Sequence, residues 1–382
     1  MFWYAIACLA MVLGVGALLV SNGRSIGMLR DVPLPADGEI NWPKVSVIVA
    51  ARNEQEHLEA ALRSLLKIDY QPLEITVVDD RSTDATGAIL DRMAAEQPAL
   101  NVVHLTELPP GWLGKNHALQ LGAERSSGEW LLFTDADIKF EPTMLRRAVR
   151  YSLENDLDHL SLTPETHMPT WLLESFVITF AMFFTIFTRP WKVRDMNSRA
   201  HVGIGAFNLV RTTAYQDVDG HRRLKMRPDD DLKLGKVLKL AGHQPDVLNG
   251  VGMLSVPWYG SLREVFVGLE KNTFAAVEYR VSVVMSTTLA TLAFNVSPFV
   301  MPLFTDGATR WIFVAAAVAH WLLAWGSAIG LGSRQSAALG YPIAVTLFVL
   351  IQWRSMFLAL KNGGIRWRDT FYSLGELRAN RV

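Results

Sequence analysis

A chain of 382 residues is long enough for one large domain or two ordinary ones. Its 37 Lys and Arg residues balance 37 Asp and Glu residues, so it lacks the basic field that draws proteins to nucleic acid, and no nucleic-acid partner is expected. A lone cysteine, Cys8, excludes an intrachain disulfide and suits a reducing compartment.

Apolar residues crowd into the two ends of the chain, and the middle has mixed polarity. The opening stretch MFWYAIACLAMVLGVGALLVS (1–21) carries no charged side chain and matches the ~20 residues a bilayer span requires. A cleaved signal peptide would carry a basic start and a small-residue cleavage site. This segment has neither, so a retained anchor is expected over 1–21. Arg24 and Arg30 follow it, and the positive-inside rule then places the next domain in the cytoplasm, with the chain in the inner membrane.

From 43 to 260 the pattern alternates strand and helix. KVSVIVAA (44–51) reads as a buried strand. The helix after it spaces Leu58, Leu62, Leu65 and Leu66 on one face. LEITVVDD (73–80) is a second strand, followed by a helix with Ser82, Thr83 or Asp84 as its N-cap. NVVHL (101–105) is a third strand, GKNHALQLGAERS a helix, and EWLLFTDAD a fourth strand. Such alternation predicts an α/β fold, a parallel sheet with helices on both faces, and ligands bind beyond the carboxyl ends of its strands. Those ends carry Arg52-Asn53-Glu54, Asp79-Asp80 and Asp135-Ala136-Asp137. Any one of them fits an Asx turn or a helix cap, but three in succession point to one site.

Two carboxylates one residue apart repel unless a cation compensates them. Asp135 and Asp137 have the spacing to share Mg²⁺ or Mn²⁺, which take one or two carboxylates plus substrate phosphates. A metal there would stabilise a leaving diphosphate as a Lewis acid. Lys115, in GWLGKNHA, either adds positive charge near phosphates or is an ordinary solvated lysine.

WLLESFVITFAMFFTIF (171–187) is near the lower length limit for a span and contains Glu174. It is expected to lie on the membrane surface or to be buried in the domain, with RPWKVR suited to headgroups. In MRPDDDLKLGKVLKLAG (226–242), Asp229, Asp230 and Asp231 precede Leu234 and Leu238 on one helix face. The acidic turn either complements the helix dipole or supplies a general base. Residues 261–280 read as an amphipathic interfacial segment. A membrane region follows over 281–360, with apolar runs at about 282–304, 311–331 and 341–360. Pro298 and Pro302 interrupt the first run. Gln352 and Arg354 lie deep in the last, and should face other helices or an aqueous pocket. The basic tail (361–382) is expected in the cytoplasm. Three crossings would leave it outside, so one run is expected to be re-entrant or interfacial.

VSVIVAARNE, VVDDRSTDAT, GWLGKNHAL, LLFTDADI and DDDLKLGKVLKLAG occur in the order found in family 2 glycosyltransferases with the GT-A fold. The chain resembles that family over about 44–242. The N-terminal anchor, GKNHA, GIGAFNLVR (203–211) and the C-terminal spans resemble its membrane-bound bacterial branch that glycosylates lipids, including hopanoid-associated, carotenoid and ceramide glucosyltransferase-like enzymes. The resemblance implies that Arg52, Asn53 and Glu54 line the nucleotide base and that Asp79 and Asp80 hold uracil and ribose. It also implies that Asp135 and Asp137 carry the metal and diphosphate, and that the acidic pair Asp230-Asp231 supplies the catalytic base, Asp231. The processive members' Q-x-x-R-W motif is missing from SLREVFVGLEKNTFAAVEYR (261–280), which lowers the expectation of a polysaccharide synthase. Lys271 is the candidate phosphate contact from that region.

The expected reaction is an inverting, non-processive single displacement. Asp231 accepts the proton of an acceptor hydroxyl on a membrane lipid as the hydroxyl attacks the anomeric carbon of a nucleotide-sugar, a UDP-sugar by resemblance. Positive charge of oxocarbenium type develops at that carbon, and acidic neighbours raise the base's proton affinity. A nucleotidyltransferase on this fold would need a glycine-rich loop after the first strand, and AARNEQEH has no glycine. A non-catalytic nucleotide-sugar-binding membrane protein would not need acidic residues at both the D-x-D and the base positions.

Overall fold

A computed structural model describes every residue except 24, 35–37 and 39. Arg24, read above as an orientation signal, therefore lies outside the described residues. The chain divides into two compact units. One comprises 26–165, 189–257 and 379–382, and the other comprises 1–25, 166–188 and 258–378.

The first unit is built on a seven-stranded sheet. Strands β1 (Val45–Ala51), β2 (Leu73–Asp80), β3 (Leu100–Leu105) and β4 (Trp130–Asp135) lie in the order β3-β2-β1-β4, all parallel. Asn208–Arg211 then pairs antiparallel with β4 and with His159–Thr163, and Pro245–Asn249 closes the sheet parallel to His159–Thr163. Val45, Val47, Ile48 and Val49 in β1 are all fully buried. Covering on both faces is why that strand is continuously apolar instead of alternating. The register pairs Ala51 with Asp79 and Ala50 with Asp135, so the carboxyl ends of β1, β2 and β4 finish level. This α/β, mostly parallel architecture is the one the strand-helix alternation predicts. The second helix starts at Thr86, with Ala85 at the cap position, instead of at Ser82, Thr83 or Asp84. Asp84 Oδ1 accepts the Thr86 N–H (2.9 Å) inside the turn.

The helix Asp230–Leu240 buries Leu234, Val237 and Leu238 against Ile48, Leu119, Leu131 and Phe133. The spacing of its leucines put them on one face, and that face is the core face. The loop before Asn208 crosses this helix with no room for side chains. A Cβ on Gly203 would sit 1.8 Å from the Asp231 carbonyl oxygen, and one on Gly235 would sit 2.0 Å from the Val202 carbonyl oxygen. The last residues of the chain hold the segment leading into the helix. Asn380 Oδ1 accepts the Met226 N–H (2.9 Å), and its Nδ2 donates to the Arg223 carbonyl (3.0 Å).

The other unit is helical. Among the described residues, five stretches are long and apolar enough to cross a membrane: Phe2–Gly23, Trp171–Lys192, Val281–Leu303, Gly307–Gly330 and Gln335–Lys361. Phe2–Gly23 packs Ala5, Cys8 and Val12 against Phe313 and Ala316. Val281–Leu303 is not one regular helix: a π-type turn spans Leu292–Val296, and a short helix and a 3₁₀ turn with Pro298 and Pro302 follow. Gln352 is buried and accepts from Thr287 Oγ1 (3.5 Å), and Arg354 pairs with Glu270 (3.2 Å), so both face neighbouring helices. The 261–280 segment begins with a capping box, in which the Glu264 N–H donates to Ser261 Oγ (3.3 Å) and Ser261 Oγ donates to Glu264 Oε1 (2.7 Å). The tail is more ordered than its basic composition suggests, with a hairpin (Gly364–Trp367, Thr370–Ser373) and a helix, Leu374–Ala379.

The Trp171–Thr188 helix has a topological constraint. Strand His159–Thr163 precedes it and strands Asn208–Arg211 and Pro245–Asn249 follow it, yet all three pair in one sheet. A single bilayer crossing would place those strands on opposite sides. That pairing is compatible with the surface or buried placement expected for 171–187.

Gly203→Ala should push the loop off the Asp230–Leu240 helix and lower the melting temperature by several degrees. Gly326→Ala, where a Cβ meets nothing within 4 Å, should leave it unchanged. Circular dichroism melts of the two detergent-solubilised proteins check this, and equal melting temperatures would contradict the close-approach argument.

Candidate functional site

The turns after β1 and β2 clamp each other. Asn53, in the left-handed region at φ 55°, donates its N–H to Ser82 Oγ (3.0 Å), and its Oδ1 accepts the Thr83 N–H (2.8 Å). The Glu54 N–H donates to Thr86 Oγ1 (2.8 Å). Asp79 Oδ1 accepts the Ser82 N–H (3.1 Å), and its Oδ2 meets His104 Nδ1 at 2.9 Å. That hydrogen bond is the main cause of a raised His104 pKa. Asp80 is buried and paired twice, to Arg81 Nε (2.8 Å) and Arg52 Nη1 (3.3 Å). Gly114, at the start of the next helix, comes so close that a Cβ would lie 2.0 Å from Asp80 Oδ2. Arg52, Asn53, Glu54, Asp79 and Asp80 thus form one pre-arranged rim. His104 and Arg81 were missed by sequence reasoning. His104 faces Asp79 only because the β2–β3 register pairs them, and a single sequence does not display that register.

The second half of the site lies at the end of β4. The Asp135 N–H donates to the Gly205 carbonyl (3.0 Å), and the Gly205 N–H donates to Asp231 Oδ2 (2.7 Å). The Leu232 N–H holds the other oxygen of Asp231 (2.7 Å). A Cβ on Gly205 would lie 2.7 Å from Asp135 Oδ2 and 3.3 Å from Asp231 Oδ2, so only glycine leaves both carboxylates accessible to one ligand. Lys115 is no solvated lysine. Its Nζ lies 2.8 Å from Asp135 Oδ1 and 3.8 Å from Asp230 Oδ1. Burial opposes its charge, but Asp135, Asp230 and Asp231 more than reverse that effect and hold it protonated. One small pocket is lined by Lys115, Asp135, Gly205, Asn208, Asp230 and Asp231 among others.

The electrostatics are unbalanced. Burial first, then Asp135 and Glu54, push the Asp137 carboxyl up to about 7. Burial first, then Asp230, push Asp231 up to about 7, with Lys115 and the Leu232 N–H pulling the other way. Asp229, the first residue of the acidic run, has a structural partner instead. It takes both arms of the buried Arg227 (2.8 Å each). Asn116 holds that arginine's carbonyl (2.9 Å). Neither Arg227 nor Asn116 carries a sequence signal that separates it from a surface residue.

Among the described residues no group of three or more His, Cys, Asp or Glu side chains forms a ready-made metal shell. Asp135 and Asp137 offer carboxylate oxygens, the donor type that Mg²⁺ and Mn²⁺ take together with phosphate oxygens and water. Lys271 lies in the other unit, on the Leu262–Ala276 helix, with its Nζ 3.7 Å from the Trp367 ring centre.

Residues 46–219 match the model of glycosyl transferase family 2. They form a family 2 glycosyltransferase domain. Asp230 and Asp231 lie just beyond the matched glycosyltransferase segment. Over 114 residues, 29% of this chain and 23% of the relative, the sequence is 35% identical to a beta-monoglucosyldiacylglycerol synthase of Synechocystis sp.. Over 219 residues, 56% of each chain, it is 25% identical to a 4,4'-diaponeurosporenoate glycosyltransferase of Staphylococcus haemolyticus. These matches span between about a quarter and about half of the relatives' lengths. In fold, a mannosyltransferase from Pyrobaculum calidifontis, solved with GDP-Man and Mn²⁺, superposes with a TM-score of 0.51 at 20% identity, covering 94% of this chain and 97% of its own. The glycosyltransferase domain therefore has the GT-A architecture.

Two measurements test the site. Lys115→Met removes the ammonium 2.8 Å from Asp135 and 3.8 Å from Asp230 and should lower stability, read by denaturant unfolding. Burial holds His159, whose Nε2 meets Asn208 Oδ1 (3.0 Å), down to about 4. The unfolded chain titrates it near ~6.5. The fold binds fewer protons between those values, so this stabilisation is complete above ~6.5 and is lost as pH falls toward 4. His159→Gln should flatten that part of a stability-versus-pH curve, and an unchanged slope would contradict the assignment.

Proposed function

We propose that the chain is an inverting, non-processive glycosyltransferase. It moves a sugar from a nucleotide-sugar to a hydroxyl of a membrane lipid. The observation that carries this reading is the placement of Asp231. Two backbone N–H groups fix its carboxylate, burial and Asp230 raise its proton affinity, and Gly205 connects it to Asp135 at the end of β4.

The donor's base and ribose would lie on the rim of Arg52, Asn53, Glu54, Asp79 and Asp80, and its diphosphate near Asp135, Asp137 and Lys115. Asp231 takes the acceptor proton as the hydroxyl oxygen forms its bond to the anomeric carbon. The bond from that carbon to the diphosphate oxygen breaks on the opposite face, which inverts the centre. Asp230 lies beside Asp231 and raises its proton affinity. Asp135 and Asp137 would hold Mg²⁺ or Mn²⁺, which when bound supplies Lewis-acid stabilisation to the departing diphosphate. Lys115 adds fixed positive charge on the same side. A UDP-sugar is our first choice of donor, on the family's pattern at Asp79-Asp80. The GDP-Man of the mannosyltransferase makes GDP-mannose the alternative to include.

The lipid acceptor is favoured by the apolar helical unit and by relatives named for a diacylglycerol and a carotenoid-type acid. We place the catalytic domain on the cytoplasmic face of the inner membrane, anchored by Phe2–Gly23. Because Asn380 is bonded within the sheet unit, the chain between 258 and 378 must cross an even number of times. The Val281–Leu303 stretch, broken by its π-type turn and two prolines, is then the one that does not cross fully.

Membranes containing the protein, incubated with tritiated UDP-glucose, UDP-galactose, UDP-N-acetylglucosamine or GDP-mannose, should transfer label from one of them into the chloroform–methanol phase. Asp231→Asn should lower the rate by about 100-fold or more, and Asp137→Ala or EDTA should also suppress it. Near wild-type transfer by Asp231→Asn at equal expression, or label only in a water-soluble polymer, would sink the reading.

A further inference from the structure

Behind the acidic pair lies a chain of buried polar side chains that the reaction above does not use. His221 is 1% exposed, and it sits on a turn in which Asp219 (φ 59°) and Gly220 (φ 47°) are both left-handed. A Cβ on Gly220 would lie 2.2 Å from the Tyr215 ring, so the turn is shaped to press His221 onto Tyr215. The His221 Nδ1 lies 2.8 Å from the Tyr215 hydroxyl, and the His221 backbone N–H donates to that hydroxyl (3.1 Å). The other ring nitrogen, Nε2, lies 3.8 Å from Asp230 Oδ2. Phe133 covers the ring edge-on, with centroids 4.9 Å apart.

The proton positions follow from what each ring nitrogen faces. The Tyr215 oxygen accepts from the His221 backbone and meets His221 Nδ1 at 2.8 Å, where either atom can donate, and Gln120 Oε1 at 3.1 Å, which also takes the Arg222 N–H (3.1 Å). Nδ1 therefore fits either tautomer, and Nε2 decides. A proton on Nε2 faces Asp230, whereas the opposite tautomer would aim a lone pair at a carboxylate in a buried pocket, which costs free energy. Burial, the largest influence on this ring, lowers its proton affinity.

We propose that His221 is a positioning residue for the reaction. Oriented by Tyr215, it presents its Nε2–H to Asp230 and holds that carboxylate beside Asp231. Lys115 approaches Oδ1 of Asp230 and His221 approaches Oδ2. This inference rests on the assignment of Asp231 as the base. It adds that the base works only while its neighbour is held in this orientation.

The test uses whichever of the four nucleotide-sugars labels lipid in wild-type membranes. His221→Phe fills the space without a donor, and His221→Gln restores an N–H near the Nε2 position. His221→Phe should lower kcat by about 10-fold or more, with the KM for the nucleotide-sugar unchanged. His221→Gln should recover most of that loss. Tyr215→Phe should lower kcat less, and should add nothing in the His221→Phe background. A His221→Phe kcat within about threefold of wild type would overturn the proposal, as would a His221→Gln kcat as low as that of His221→Phe. If His221→Phe does not fold, Tyr215→Phe decides, and an unchanged kcat overturns the proposal. Nitrogen-15 spectra of the histidine-labelled full chain give a readout independent of catalysis. The proton should be found on Nε2 of His221, and a proton on Nδ1 overturns the proposal. Absence of transfer by the wild type from all four donors would instead defeat the glycosyltransfer reading, and leaves the spectrum to judge His221.

Discussion

The site depends on carboxylates packed more densely than the local positive charge can compensate. Asp135, Asp137, Asp230 and Asp231 gather at the end of β4 and the start of one helix, with Lys115 beside Asp135 and Asp230. Burial and the neighbouring acids raise the proton affinity of Asp137 and Asp231. On the proposed reading, nucleotide and cation would compensate the remainder, with one carboxylate toward the metal and another taking the acceptor's proton.

Holding such a cluster in place requires backbone more than side chains. Gly203, Gly205 and Gly235 let a loop lie directly on the Asp230–Leu240 helix, and Gly205 donates to one carboxylate and accepts from the backbone of another. The level ends of β1, β2 and β4 set the polar rim at the same height. Asp229, bound to Arg227, fixes the start of the Asp230–Leu240 helix, so that the three consecutive aspartates have three different sets of partners.

Much of this was legible in the sequence. Buried parallel strands read as continuous Val and Ile runs, and polar residues stand at their ends because that is where the sheet stops covering them. The leucine spacing after Asp231 identified a helix face that proved to be the core face. What could not be read depends on contacts between distant segments. Lys115 read either as a charge near phosphates or as a solvated lysine, and only the fold shows it against Asp135. His104, Arg81, Arg227 and His221 act through register or turn geometry that no local pattern encodes. The Trp171–Thr188 stretch shows the same limit. Its composition permits a bilayer crossing, and only the strand pairing on either side of it forbids one.

The central claim is that the nucleotide's diphosphate and a divalent cation together complete this acidic site. Its most direct test is equilibrium binding of Mn²⁺ to the purified full-length protein, followed by electron paramagnetic resonance, with and without UDP or GDP. One of the two nucleotides should tighten Mn²⁺ binding by at least about tenfold, and Asp135→Ala should abolish the gain. Mn²⁺ affinity indifferent to both nucleotides, or a gain that survives Asp135→Ala, would contradict the account.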